Sequence, residues 1–352
     1  MRARYNSTVD AWIAGKIGMA DGQNLKRDAL ESWQLCKLRE TIERVLVGSS
    51  FYRERLSAIA ETGSVSETIV SLNCVENLPF TTSADLAAAG TAMVCVSASD
   101  VGRIVTLPTA GTMGAPRRIW FTDADQELMT DYIRHGLPVM TGPGDVFLIL
   151  MPCVRPGSVG DLVARGVQRI GSRVVLVGAI PADGSRDEET LDIMRREGVT
   201  TGLATAHTAA RLAKKSEGDA IIQKNMRTIL LTAQYVSDEE KAAVERIWDC
   251  LVYEHYGMTE MGLGGAMACE TRVGYHPREA DLLFEIIDPE TGKTLPEGEL
   301  GEIVFTTLTR QAMPLIRYRT GDFSRWIPGI CPCGSALKRL DKVGDRAERK
   351  AY

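Results

Sequence analysis

Short apolar runs alternate with charged, helix-like segments between residues 146 and 254, and this alternation constrains the fold more than any other feature. Helical patterns occupy 187–197 and 208–215, and Ser237 with Glu240 forms a capping box that opens a further helix. The apolar runs lack polar alternation, which is typical of strands covered on both faces. The sequence therefore predicts an α/β fold on a mostly parallel sheet flanked by helices, with strands at 146–151, 173–180, 200–205, 226–232 and 250–254.

The segments on either side of this core have different patterns. Residues 1–100 carry apolar side chains at helical spacing, among them Leu35, Leu38 and Ile42, and predict a helical lead-in packed on the core. Residues 101–265 would form the α/β core itself. Turn and strand signals dominate 266–340, which predicts a smaller β-rich subdomain.

Composition and charge exclude several classes of partner. The formal net charge is −5, and the arginines are scattered instead of forming a basic face, so we expect no nucleic-acid partner. The longest apolar run, 146–151, is far shorter than the ~20 residues of a membrane-spanning helix, and the N-terminus lacks the apolar region of a signal peptide. We therefore expect a soluble cytoplasmic protein whose eight cysteines are reduced thiols.

Three polar segments next to predicted strands could carry chemistry. The first runs from Thr109 to Pro116, where glycines let backbone N–H groups converge on an anion. The others are YGMTE, which ends at Glu260, and YRTGD, which ends at Asp322; a carboxylate at a strand end can bind ribose hydroxyls. The GxSxG, HExxH and GxxxxGK[ST] patterns are absent, which argues against nucleophilic hydrolases, zinc proteases and Walker-type nucleotidases.

These segments resemble motifs of the phenylacetate-coenzyme A ligase family, within the acyl-adenylate-forming superfamily. SSFYRERL and LPFTTSADL resemble its N-terminal motifs, YGMTEMG its nucleotide motif, and GEIVFTTLTRQAMPLIRYRTGD a long stretch of its pattern. CPCGSALKRLDKVGDR resembles the approach to its interdomain hinge, which would make residues 341–352 a hinge stub. The resemblance implies the large N-terminal domain of an adenylate-forming enzyme, with 101–265 as its nucleotide-binding core.

The resemblance also implies roles for individual residues around ATP or AMP. Thr259 and Glu260 would sit beside the α-phosphate and its Mg²⁺, and Arg346 would reach the nucleotide from the hinge. Asp322 would hold the ribose, and the loops around Gly111, Glu260 and Asp322 would converge on one cleft. The residues that would border the phosphates or frame the adenine are Thr109, Gly111, Thr112, Gly114, Ala233, Gln234, Glu254, His255, Tyr256 and Gly257.

The sequence departs from the family pattern in two places. Ala110 and Met113 replace hydroxyl residues of the phosphate loop, and the following Arg117-Arg118 pair could compensate for the lost hydrogen bonds. Family members also continue beyond the hinge into a small domain with a lysine that assists adenylation, whereas this sequence ends at Tyr352. Three explanations follow: the sequence is a piece of a longer protein, the protein works with a partner chain that supplies the small domain, or the protein has lost ligase activity. Its oligomeric state is a separate question, for which a homodimer is one alternative.

Four metal-ligating side chains occur in the predicted β-rich part. Cys331 and Cys333 flank a proline on a tight turn, and Cys269 and His276 provide another thiol and an imidazole. Such a set suits a closed, tetrahedral, structural zinc site, and the resembled family often has these residues at the same positions. The alternative is four unrelated side chains, since the Cys-x-Cys spacing is tighter than usual and the pairs lie far apart in sequence.

The function predicted from the resemblance is an AMP-forming acid-coenzyme A ligase. It would join an aryl or other small carboxylic acid to AMP, using ATP and Mg²⁺, and then transfer the acyl group to coenzyme A. The alternative is a degenerate, non-catalytic relative that binds a nucleotide or a partner subunit, which Ala110 and Met113 favour.

Overall fold

The computed structural model of the chain describes residues 8–20, 22–107 and 116–344. Its strands form a seven-stranded sheet, a three-stranded sheet and a two-stranded ribbon. The strands are β1 Arg103–Leu107, β2 Arg117–Phe121, β3 Val146–Ile149, β4 Arg173–Leu176, β5 Thr201–Ala204, β6 Thr228–Leu231, β7 Leu251–Tyr256, β8 Ala266–Met267, β9 His276–Pro277, β10 Leu282–Ile287, β11 Gly301–Thr307 and β12 Tyr318–Ser324.

The large sheet has the order β4-β3-β5-β6-β7-β8-β9. The first five strands in this order are parallel, and β8 and β9 extend the sheet in antiparallel register. Apolar side chains cover both faces, so the α/β fold with a mostly parallel sheet is confirmed. The boundary predicted at 265/266 falls inside this sheet, between β7 and β8.

Helices cover the sheet and precede it. They are α1 Thr8–Lys16, α2 Arg27–Gly48, α3 Ser50–Arg55, α4 Ser57–Thr62, α5 Val65–Thr68, α6 Ser83–Ala89, α7 Asp123–Gly136, α8 Val159–Ile170, α9 Asp187–Glu197, α10 Ala206–Lys215, α11 Ala220–Asn225 and α12 Asp238–Trp248. The capping box predicted at Ser237 and Glu240 is present at the start of α12. Within the described ranges, no helix combines the length and apolar character needed to cross a bilayer.

Two buried polar contacts attach the N-terminal helices to the small sheet. The Tyr52 hydroxyl accepts a hydrogen bond from the backbone N–H of Ile316 at 3.0 Å and contacts Thr81 Oγ1 at 2.9 Å. The backbone of Thr81 then pairs with the residues at the start of β12. Both residues belong to the N-terminal motifs noted above, and the contacts fix the strand that carries Asp322.

Arg317 holds the start of β12 from the other side. Its guanidinium is buried and forms a two-point ion pair with Glu285, at 2.8 and 3.2 Å. It also donates to the carbonyl oxygens of Glu76 and Leu78 and lies 4.1 Å from the ring centre of Phe80. Its φ of 44° lies in the left-handed region, which a non-glycine residue adopts only when the surroundings fix it.

The strand predicted at 173–180 is shorter in the structure, where β4 ends at Leu176. Gly178 adopts a φ of 83°, which ends the extended conformation, and Pro181 has no N–H to continue a ladder. The other predicted strands differ from the observed ones by at most two residues at either end.

Candidate active site

A cleft of about 660 Å³ opens at the carboxyl ends of the parallel strands. The segments that leave β6 and β7 form one side of it, and β12 of the small sheet forms the other. Carboxyl ends of parallel strands meet at one edge of a sheet, where α/β proteins usually bind ligands. The fold thus places the second and third motifs against the same cavity.

The loop after β7 turns sharply because of its glycine. A Cβ atom on Gly257 would lie 1.9 Å from the carbonyl oxygen of Leu263, so a side chain at this position would block the turn. The loop continues into a single 3₁₀ turn, Thr259–Met261, in which the Glu260 side chain is buried. At the end of β6, Ala233 has a φ of 67°, a conformation that favours glycine and is often found at functional sites.

Glu260 has two side-chain partners in the cleft. Arg117 Nη1 lies 3.1 Å from Glu260 Oε1, and the Tyr318 hydroxyl donates to the same oxygen at 3.3 Å. Arg310 donates to the backbone carbonyl of Glu260 at 2.6 Å and so fixes the loop. Burial and the nearby carboxylate raise the pKa of Tyr318, which therefore remains a hydrogen-bond donor.

Asp322 lies opposite the β7 loop. The Tyr256 hydroxyl donates to Asp322 Oδ2 at 3.1 Å, which joins the second motif directly to the third. The backbone N–H of Asp322 donates to Thr320 Oγ1, and Gly321 adopts a φ of 73° that turns the chain between them. The carboxylate is half-buried and faces the cleft, as a ribose-binding group requires.

The far end of the cleft is a fixed polar wall. Both oxygens of the buried Glu254 carboxylate accept hydrogen bonds, one from Lys241 at 2.7 Å and the other from the Tyr275 hydroxyl at 3.0 Å. The backbone of Tyr275 pairs with Leu340, and the segment after Leu340 brings Lys342 to the cleft. These supporting contacts were not predictable from sequence motifs, because they join side chains that no shared motif contains.

His255 is neutral in the folded protein. Its Nδ1 lies 2.8 Å from Thr232 Oγ1, and burial together with the charge of Arg278 lowers its pKa to about 4. An unfolded histidine has a pKa of about 6.5, so unfolding takes up a proton between these two pH values. The free energy of unfolding therefore decreases as the pH falls through that window.

Replacing His255 by asparagine retains a polar group near Thr232 but removes the group that titrates. We expect the His255→Asn variant to lose less thermal stability than the wild type between pH 6.5 and 4, measured by calorimetric melts; parallel curves would contradict this assignment.

An apolar recess leads from the cleft into the core between α7, α8 and the sheet. Gly166 lets the two helices pack closely, since a Cβ atom there would lie 2.5 Å from Ile133 Cγ2. The recess is lined by Met129, Ile133, Met151, Val159, Leu162, Val163, Leu203 and Leu230. All these side chains are apolar, so the recess suits an uncharged, hydrophobic group.

The four predicted metal ligands converge near the end of β9. Their ligand atoms all lie within 4.8 Å of one another. The Cys269 and Cys331 sulfurs are 3.7 Å apart, and Cys333 Sγ lies 3.4 Å from His276 Nε2. Tetrahedral ligation at the usual zinc distances would place two sulfurs about 3.8 Å apart and a sulfur and a nitrogen about 3.6 Å apart, so the geometry fits zinc.

The orientation of the imidazole also fits a metal ligand. His276 Nδ1 lies 3.1 Å from the carbonyl oxygen of Lys338, which can only accept, so Nδ1 carries the proton. The other ring nitrogen, Nε2, faces the cysteines and is the atom that would bind a metal. A hydrogen bond from Cys333 lowers the pKa of Cys269, and such a thiolate is the form that binds a metal.

The cleft brings together the predicted site residues that the structure describes. These are Ala233, Gln234, Glu254, His255, Tyr256, Gly257, Thr259, Glu260 and Asp322. Thr109, Gly111, Thr112, Gly114 and Arg346 lie outside the described residues. Of the two arginines after the phosphate loop, Arg117 lines the cleft, whereas Arg118 is exposed and is not among its lining residues.

Comparison with known proteins identifies the class of protein. The family model for AMP-binding enzymes matches residues 44–309. A solved structure of 2-hydroxyisobutyryl-CoA ligase, in complex with 2-HIB-AMP and CoA, superimposes with a TM-score of 0.79 at 21% identity, covering 90% of this chain and 68% of that one. At that identity the likeness shows the fold alone, which agrees with the family match.

The chain belongs to the AMP-binding enzyme family and, within it, to the phenylacetate-coenzyme A ligases. The Pseudomonas putida phenylacetate-coenzyme A ligase is 30% identical over 328 residues, which cover 91% of this chain and 71% of that enzyme. The Escherichia coli K12 enzyme of the same name is 28% identical over 330 residues, covering 91% and 72%. The family predicted from the motifs is confirmed.

Proposed function

We propose that the protein is an AMP-forming acid-coenzyme A ligase. The observation that carries this proposal is one cleft in which a half-buried Asp322, a buried Glu260 and an apolar recess lie together. An acyl-adenylate needs these three environments for its ribose, its phosphate and its acyl group. The family assignment supports the same reaction.

The reaction requires positioning more than a covalent nucleophile. A carboxylate oxygen of the acid attacks the α-phosphorus of ATP, the bond from that phosphorus to the bridging oxygen breaks, and pyrophosphate leaves. The thiol of coenzyme A then attacks the acyl carbon and displaces AMP. Asp322, held by Tyr256, would fix the ribose, while Thr259 and Glu260 would face the phosphate, so the reacting groups are aligned before reaction.

The residues around Glu260 fit a magnesium ion that arrives with ATP. Mg²⁺ binds one or two carboxylates and completes its shell with phosphate oxygens and water. Glu260 supplies a carboxylate in the cleft, and Thr259 lies beside it. The bound ion would neutralise charge on the phosphates and the leaving pyrophosphate.

A second metal ion, zinc, would have a structural role. It would be held in a closed site by Cys269, His276, Cys331 and Cys333.

The recess supports an aryl or similarly apolar acid as the substrate. Val159 is half-buried at the start of α8 and borders the recess, so a larger side chain there has space to enter it. We expect Val159→Phe to raise the KM for an aryl acid at least about tenfold relative to acetate, because lost apolar contacts of this size are worth ~1–3 kcal/mol. AMP affinity should not change.

Val154→Phe is the matched control for this measurement, because Val154 is 93% exposed and does not line the cleft. Steady-state kinetics with both acids, and calorimetry with AMP, would separate a change of specificity from a general loss of activity. Equal effects on both acids would show that the recess is not the acyl site.

The proposed function is tested by nucleotide binding and by isotope exchange. Calorimetry should detect AMP, and an acyl-adenylate analogue should bind more tightly because it fills the recess as well. Exchange of labelled pyrophosphate into ATP that depends on the acid would demonstrate adenylation by this chain. Binding without exchange, even when a candidate partner chain is added, would instead support the non-catalytic alternative, and absence of both would disprove the ligase assignment.

A further inference from the structure

The carboxylate proposed to face magnesium is ion-paired with an arginine of the cleft. Arg117 contacts Glu260 Oε1 at 3.1 Å and Ser83 Oγ at 3.0 Å. The side chains of Glu260 and Arg117 are only 3% and 21% exposed, so water screens the pair weakly. A metal ion that binds this oxygen would lie against the positive charge of Arg117, and the two cations repel each other.

Arg117 has hydrogen-bonding capacity that its contacts with Glu260 and Ser83 do not use. Its Nε is buried and has no hydrogen-bond partner among the described residues. A guanidinium group has five N–H donors in a planar fork that matches phosphate oxygens. The backbone of Arg117 is fixed by pairing of β2 with β1, opposite Leu107, while its long side chain lies in the cleft.

We propose that Arg117 is an exchangeable counter-ion, which pairs with Glu260 when no phosphate is bound and moves to the phosphates when Mg²⁺ and ATP bind. This inference rests on the proposed ligase function. In the exchange, Glu260 gives up the guanidinium for Mg²⁺, and the guanidinium gives up the carboxylate for a phosphate oxygen. Neither charge is left unpaired in the low-dielectric cleft, which would be costly.

The exchange also provides a means of product release. While pyrophosphate is bound, Arg117 neutralises part of its charge; once the metal leaves with pyrophosphate, Glu260 again attracts Arg117. Lys342 is the other cation among the described cleft-lining residues, and it is paired with Asp238. Arg117 is therefore the described cation placed to serve both Glu260 and the phosphates.

Binding measurements with Mn²⁺ as a magnesium probe test this inference. In the Arg117→Met variant, Mn²⁺ alone should bind about tenfold more tightly than to the wild type, because Glu260 has lost its competing cation. Binding of ATP with Mn²⁺ should weaken about 10–100-fold, the range expected when a charged hydrogen bond is lost. AMP affinity should be unchanged, since AMP lacks the outer phosphates. Replacing a purely structural arginine is not expected to change the affinity for Mn²⁺ alone and the affinity for ATP with Mn²⁺ in opposite directions.

Three further variants fix the interpretation. Arg117→Lys keeps the charge and should bind Mn²⁺ alone as weakly as the wild type, and Glu260→Gln should remove the Mn²⁺ site that electron paramagnetic resonance detects. Arg118→Met is the matched control, because Arg118 is the next residue of β2 but is exposed. The proposal would be overturned if the Arg117→Met variant bound Mn²⁺ no more tightly than the wild type. It would also be overturned if this variant lost as much affinity for AMP as for ATP. If wild-type protein bound no nucleotide, the ligase function would fail, while the titration with Mn²⁺ alone would still test the ion pair.

Discussion

Replacing Glu260 by glutamine is expected to lower the rate of adenylation by about 10²–10³-fold, the loss typical when a preorganised electrostatic group is removed from a transition state. Glutamine has nearly the same shape and can still accept a hydrogen bond from Tyr318, but it lacks the negative charge that a magnesium ion needs. Pyrophosphate exchange measures this step directly. AMP affinity should remain close to that of the wild type, because the groups proposed to hold the ribose and the adenine, Asp322 and Tyr256, contact each other and not Glu260.

The buried position of Glu260 makes a stability control necessary. The substitution leaves Arg117 without its counter-ion, and this alone costs about 1–3 kcal/mol in a buried setting. Glu239→Gln is a matched control, because Glu239 is exposed in the first turn of α12, away from the cleft. Melting curves for both variants would show whether Glu260→Gln is folded under assay conditions. A folded Glu260→Gln protein with undiminished exchange would remove Glu260 from the catalytic residues.

The core of the fold was predictable from local patterns. A parallel strand buried on both faces appears in the sequence as an apolar run, as at Val146–Ile149, and the helix Asp187–Glu197 was predicted with its exact bounds. The lengths of β8 and β9, two residues each, explain why they were not predicted. Strands this short contain too few residues for a periodic pattern, and they form by pairing at the sheet edge, β8 with β7 and β9 with β8.

The motifs predicted which residues face the cleft, but they did not predict how those residues are held. The link from Tyr256 to Asp322 joins positions 66 residues apart, and the pairing of Arg117 with Glu260 spans 143. Only tertiary structure determines such contacts. The same is true of Arg317. In the sequence it is one more arginine next to a motif, whereas in the structure it forms a buried ion pair.

Removing the proposed zinc ion is expected to lower the free energy of unfolding more than any other change made outside the cleft. Wild-type protein should contain one zinc per chain by elemental analysis, and Cys331→Ser should lose it. Structural zinc sites bind with about 10–16 kcal/mol in small zinc-finger peptides, so loss of even a third of that would be about 3–5 kcal/mol of stability. A decrease in melting temperature of about 4–7 °C would follow for a chain of this size. Cys36→Ser is the matched control, because Cys36 is exposed on α2.

The proposed zinc site should also affect nucleotide binding, because one segment of the chain contributes to both the Cys/His cluster and the cleft. His276 is bound to the carbonyl of Lys338, Tyr275 pairs with Leu340, and the same stretch then delivers Lys342 to the cleft. Through its hydroxyl, Tyr275 also fixes Glu254, which lines the cleft. Without zinc, this wall is held by fewer contacts, so chelator-treated protein and Cys331→Ser should bind AMP more weakly than wild type at a temperature where both remain folded. The opposite result is a protein that is purified free of metal and keeps both its melting temperature and its AMP affinity in the presence of a chelator. It would show that the four side chains need no ion to hold this wall in place.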